Sequence, residues 1–146
     1  MKDVFAYIDA HAQEYIELLQ KFCRQPSVAA QNLGIREMAD LLVKELATVG
    51  ITAEVCETGG NPILYGELEG ENNGRTISFY NHYDVQPAEP LDEWVSPPFA
   101  AEIRDGKLYA RGATDNKGSL LSRLCALKAL LAVHGKAPLN VKFIYE

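Results

Sequence analysis

Four of the seven prolines fall between positions 87 and 98. Each fixes its own φ and lacks the amide that a sheet ladder or helix interior needs. Residues 83–99 are therefore read as a loop, long for a compact domain and for that reason a place to look for function. Trp94 and Phe99 are the residues able to pin it to the body. Regular structure must lie before or after this stretch.

The hydrophobic spacing on either side is informative. Val4, Ile8, Tyr15, Leu19 and Phe22 recur at helical intervals and predict one amphipathic helix over residues 3–24, ending before Pro26. Ile35, Met38, Leu42, Leu46 and Val49 predict a second helix over 34–49, with Gly50 as a left-handed cap. Strands are expected at 51–57, 62–68 and 75–81, separated by Gly59-Gly60-Asn61-Pro62 and by a polar turn at Asn72-Asn73-Gly74. Beyond the proline loop, 101–104 and 107–111 form a hairpin around Asp105-Gly106. A third helix covers 117–134, burying Leu120, Leu124, Leu127 and Leu131 and stopping at Gly135; a last strand at 139–145 alternates Val141, Phe143 and Tyr145. Helices feeding strands in this order predict an α/β fold, a layered mixed sheet flanked by helices.

Composition excludes several classes. The 146 residues carry 14 Lys+Arg against 20 Asp+Glu, a net charge of -6, which argues against a phosphate-binding face and hence against nucleic acid as a partner. With 47% hydrophobic and 23% charged residues the chain has a globular balance and needs no disulfide staples at this length. No apolar run approaches the ~18 residues of a membrane span, and the first residues do not read as a signal peptide, so no membrane partner is expected. Cys23, Cys56 and Cys125 form no C-x-x-C pair and are odd in number, which favours a reducing, cytoplasmic compartment.

Two motifs carry chemistry. In Asn81-His82-Tyr83-Asp84, placed where a strand gives way to the loop, side chains two apart share a face, so Asp84 can accept from one imidazole nitrogen of His82 and leave the other facing a metal. The bland alternative is a surface His-Asp pair, but ligands in α/β proteins gather beyond the carboxyl ends of strands. In Arg111-Gly112-Ala113-Thr114-Asp115-Asn116-Lys117-Gly118, Asp115 or Asn116 is a natural N-cap for the third helix, and a carboxylate there is equally a competent metal ligand. His11 and His134 lie on helices with no acidic or cysteine neighbour at ligand spacing. Cys56 and Cys125 read as core residues, and Ser27, Ser119 and Ser122 have no His at a spacing that suggests a triad. Gly59-Gly60 and Gly112 make no nucleotide-binding pattern.

Taken together, the run from His82 through Gln86-Pro87, Trp94 and Pro97-Pro98-Phe99 to Asp105-Gly106-Lys107-Leu108-Tyr109-Ala110-Arg111-Gly112-Ala113-Thr114-Asp115-Asn116-Lys117-Gly118 closely resembles the co-catalytic zinc metallopeptidases. That family includes carnosinase-like dipeptidases, glutamate carboxypeptidase, acetylornithine deacetylase and succinyl-diaminopimelate desuccinylase, and the Gln86-Pro87 form looks more like the dipeptidase branch. The resemblance implies a zinc-exopeptidase-like fold and a pair of divalent cations, zinc first and manganese or cobalt as alternatives. It makes His82 a ligand of one metal, Asp115 the carboxylate bridging both, and Asp84 the catalytic carboxylate that orients His82; it further implies a cis bond at Asp115-Asn116. The implied reaction is hydrolysis of a peptide or N-acyl amide bond in a small peptide or N-acyl amino acid.

The family's paired glutamates, later ligands and lid or dimerisation domain have no counterpart in residues 1–146, and Glu146 looks like the acidic residue just before that pair. The expectation is that the chain is the N-terminal segment of a metallopeptidase catalytic domain, inactive alone, binding metal weakly and prone to self-association through unpaired strand edges. The alternative is a noncatalytic α/β module that binds a metal weakly or associates with another chain.

Overall fold

The computed structural model describes residues 1–146, apart from the side chain of Asn73. Helices α1 (Lys2–Ala10), α2 (Ala12–Arg24) and α3 (Ile35–Ala47) precede strands β1 (Glu54–Cys56), β2 (Ile63–Leu68) and β3 (Asn72–Asn81). The proline loop follows, with a single 3-10 turn at Leu91–Glu93, then the hairpin strands β4 (Glu102–Arg104) and β5 (Lys107–Tyr109), helix α4 (Ser119–His134) and strand β6 (Leu139–Tyr145).

The main sheet has the order β1-β2-β6-β3. β6 is antiparallel to β2 and parallel to β3, with Phe143 opposite Gly66 on one side and Phe79 on the other. The sheet is therefore mixed, and the last strand sits at its centre. Val141, Phe143 and Tyr145 face the core together with Leu64 of β2, Met38, Leu42 and Leu46 of α3, and Leu120, Leu124 and Leu127 of α4. A Lys128–Glu45 ion pair joins α4 to α3 beside that core. The α/β layering read from the sequence is thus observed.

Several local expectations change. The single helix over 3–24 is two helices, broken at His11 (φ -110°, ψ 12°). The His11 ring stacks on Tyr7 at 3.9 Å and its Nδ1 lies 2.8 Å from the Tyr7 carbonyl oxygen, so a side chain takes up a backbone acceptor at the break. The strand expected at 51–57 shrinks to three residues, because the Ile51 amide donates to Leu46 O and closes α3 instead of joining the ladder. The polar turn expected around Asn72 is instead the start of β3, where Asn72 pairs with Leu139 and the register shifts before Thr76. In the hairpin, Asp105 (φ 50°) and Gly106 (φ 71°) supply the two left-handed residues of a primed turn, as expected. Trp94 closes the proline loop on itself, its indole N–H donating to Ala88 O at 2.7 Å, and the Arg111 guanidinium lies over its ring at 5.3 Å. The three cysteines are unpaired thiols, and no helix is long and apolar enough to cross a membrane among the described residues.

Candidate metal centre

β3 ends at Asn81, so His82 stands at its carboxyl end. The sheet geometry continues one step further: Glu146 N–H donates to Asn81 O, and Tyr83 N–H donates to Glu146 O at 2.7 Å. The backbone on both sides of His82 is thereby tied to the end of β6. Asn81 itself is buried, and Arg123 of α4 donates to its side-chain oxygen and to Tyr80 O. Tyr83 is buried as well, its hydroxyl donating to Pro62 O at 2.6 Å. His82 is thus held between two anchored neighbours.

Asp115 reaches the same place from the far side of the proline loop. It does not cap α4, contrary to the reading as an N-cap: α4 starts at Ser119 and has no side-chain cap. A π-type turn, Ala113–Gly118, intervenes, in which Lys117 N–H donates to Gly112 O at 3.0 Å and Asp115 itself is extended (φ -118°, ψ 95°). This conformation turns the carboxylate away from the helix amides and toward His82. The Asp115-Asn116 bond is cis, as the resemblance implied.

The three residues singled out in the sequence converge. His82 Nδ1 lies 3.0 Å from Asp84 Oδ1, and His82 Nε2 lies 3.0 Å from Asp115 Oδ1. Burial works against the charged imidazole, but its bonds to Asp84 and Asp115 outweigh that, and His82 is held above its usual range. The imidazole and Asp84 are about one-third exposed, whereas the Asp115 side chain is 78% exposed. Beside them a cavity of ≈310 Å³ is lined by His82, Asp84, Glu146, Asn61 and Thr58.

The donor chemistry fits a divalent cation in part. Two ligands on one tetrahedral zinc, each about 2.0–2.1 Å away, lie about 3.3 Å apart, close to the 3.0 Å between His82 Nε2 and Asp115 Oδ1. Asp84 on the opposite ring nitrogen is the outer partner that orients a ligating imidazole. No group of three or more His, Cys, Asp or Glu is placed to hold a metal among the described residues. His11 is engaged with Tyr7 and His134 closes α4, so neither joins the site.

Two residues the sequence reading passed over are built into this centre. Ser27, given no structural role by the sequence, is buried and donates to Tyr83 O. Lys117, given no role of its own within the Arg111–Gly118 motif, is fully buried against Phe22 O and Gln25 O.

Comparison with known proteins agrees with the geometry. Residues 78–146 match the family described as Peptidase family M20/M25/M40. The whole chain is 33% identical to Beta-Ala-His dipeptidase of Mus musculus and spans 33% of that protein. Human carnosine dipeptidase 1 superposes on 99% of this chain with a TM-score of 0.91 and 33% identity, the match covering 34% of that structure. A metallo-carboxypeptidase of the same family from Sulfolobus solfataricus matches 91% of this chain with a TM-score of 0.86 and 42% identity, over 30% of its own length. The chain spans about a third of the relatives it matches. His82, Asp84 and Asp115, gathered at the carboxyl end of the sheet, all lie within residues 78–146, the part of the chain that matches peptidase family M20.

Proposed function

We propose that this chain contributes to metal-dependent hydrolysis of a peptide or N-acyl amide bond in a small substrate, dipeptides foremost. The observation that carries this reading is the line Asp84–His82–Asp115, a carboxylate on one ring nitrogen and a second carboxylate facing the other. His82 would hold one cation and Asp115 would bridge a pair, zinc first, with manganese and cobalt as alternatives. Such a pair, when bound, polarises the scissile carbonyl and lowers the pKa of water. Asp84 accepts the Nδ1 proton, fixes the tautomer that presents the Nε2 lone pair, and raises the basicity of the ring. Asp115, open to solvent, faces the approach to the site.

Residues 1–146 supply two direct ligands, and Glu146, which lines the same cavity, has its carboxylate engaged by the Tyr80 hydroxyl, so on this reading the remaining ligands, the base and any lid come from outside these residues. By themselves they are expected to be inactive. The three free thiols are consistent with a reducing, cytoplasmic setting. The alternative, a noncatalytic module, draws on the same two-ligand count.

Activity assays separate the two. A protein extending beyond residue 146 is assayed on dipeptides and N-acyl amino acids with zinc, manganese or cobalt. Turnover should vanish with chelator and with Asp115→Ala, and fall about 10- to 100-fold with Asp84→Ala while the fold persists by circular dichroism. Absence of turnover with every metal and both substrate classes would favour the noncatalytic module.

A further inference from the structure

Both sides of the metal centre are anchored to one short stretch of chain, residues 22–27. On one side the Lys117 ammonium, fully buried, donates to Phe22 O at 3.0 Å and Gln25 O at 2.7 Å. Phe22 lies in the last turn of α2 and Gln25 is the residue that ends it, so Lys117 takes up acceptors that a helix end leaves without an intrahelical donor. Lys117 sits two residues after Asp115 in the same π-type turn, so the turn is fastened to α2 from within. On the other side Ser27 brackets Asp84. Its hydroxyl donates to Tyr83 O at 2.7 Å, and its own carbonyl accepts from Val85 N–H at 2.8 Å. The peptide units before and after Asp84 are therefore both tied to a single buried residue.

The lever is short. Asp115 has one side-chain bond among the described residues, to His82, so the position of its carboxylate follows the backbone of its turn. Asp84, bonded to His82 Nδ1, follows the backbone that Ser27 holds. Between Gln25, the nearer acceptor of Lys117, and Ser27 lies only Pro26, which restricts the backbone of Gln25 before it.

We propose that Ser27 and Lys117 are positioning residues that jointly set the separation between the His82 imidazole and the Asp115 carboxylate, acting through residues 22–27. The consequence for metal binding rests on the proposed metal site; the consequence for His82 geometry does not. A serine hydroxyl and a lysine 90 residues apart in sequence then act as one device, although neither touches metal or substrate.

The test uses two readouts on the wild type and on Ser27→Ala, Ser27→Thr and Lys117→Met: the ring 15N shifts of His82 in the metal-free protein, and the affinity for cobalt(II). Asp84→Asn and Asp115→Asn give reference shifts for each lost contact. Ser27→Ala should move Nδ1 toward the Asp84→Asn value and Lys117→Met should move Nε2 toward the Asp115→Asn value. Each should weaken cobalt binding at least tenfold, and Ser27→Thr, which keeps the hydroxyl, should restore both readouts. If Lys117→Met does not fold, the Ser27 pair decides. Variants that lower the melting temperature yet leave the His82 shifts and cobalt affinity unchanged would overturn the proposal while leaving the metal site standing. Shifts that move as stated in a wild-type protein that takes up no cobalt would support positioning and count against the metal reading instead. Failure of Ser27→Thr to restore the shifts would overturn the role given to the hydroxyl.

Discussion

At Gly112 two demands coincide beside the site. Its φ is +82°, and a Cβ there would lie 2.4 Å from Val85 Cγ1, a buried atom of the segment that carries Asp84. A left-handed non-glycine residue costs about 1–2 kcal/mol, and overpacking a filled site adds about 1–3 kcal/mol. Gly106 in the hairpin has a similar φ of +71° but nothing within 4 Å, so only the first cost applies there. Gly112→Ala should therefore destabilise by about 2–5 kcal/mol and Gly106→Ala by about 1–2 kcal/mol, as read by urea denaturation. Equal losses at the two positions would show that the contact with Val85 is unimportant. The same scale explains what could be read in advance. His82, Asp84 and Asp115 were legible because each lies in a short motif whose spacing has a chemical meaning. Ser27 and Lys117 were not, because their roles are hydrogen bonds to backbone atoms 56 and 95 positions away in the chain.

Elements with a clean period were legible, and those shaped by backbone bonding were not. The stripe of α3 and the alternation of β6 are each buried as the spacing required, from Ile35 to Leu46 and from Val141 to Tyr145. The break at His11 lies within an uninterrupted stripe, and the six-residue turn before α4 has no period of its own; both are set by hydrogen bonds that hydropathy does not register. β6 also makes a prediction about pH. Tyr145 ends this strand with its hydroxyl buried and, among the described residues, unpartnered; burial pushes its phenol well above the usual range, against the opposing charge of Arg123. Tyr15 on α2 is pushed up to about 12, chiefly by burial. An acid whose folded pKa exceeds its unfolded value of about 10 keeps its full stabilising effect below that value, and the effect is lost as pH rises through the folded pKa. Alkaline unfolding should therefore set in above pH ~10. Tyr145→Phe removes both the ionisation and the unpartnered hydroxyl. It should stabilise by about 1 kcal/mol at neutral pH, with a wider margin at higher pH. Circular dichroism against pH reads this directly, and an alkaline midpoint that Tyr145→Phe leaves in place would contradict it.

For the whole molecule, the two edges of the sheet differ in consequence. β1 is three residues long and offers little to pair with, whereas β3 runs for ten residues along the other edge, with β6 as its only ladder partner in the sheet order. Ile77 and Tyr80 on β3 are 40% and 55% exposed, so that edge combines unpaired backbone groups with apolar side chains, the arrangement that recruits another strand. The net charge of -6 opposes contact between copies, but over a limited range. Screening shortens that range from about 10 Å at 0.1 M salt to about 3 Å at 1 M, while pairing along a strand edge is a contact interaction that salt leaves in place. The 146-residue chain should therefore associate in a concentration-dependent manner, and more strongly as salt rises. Ile77→Lys places a charge on the edge without removing a core side chain and should suppress association at equal stability. Light scattering across a concentration series at two salt levels measures this. Association that weakens with salt would point to ion pairs rather than the strand edge, and association unchanged in Ile77→Lys would move the contact to another surface, such as the apolar groove between α1, α2 and α4 lined by Ile8, Ile16, Leu19 and Leu121.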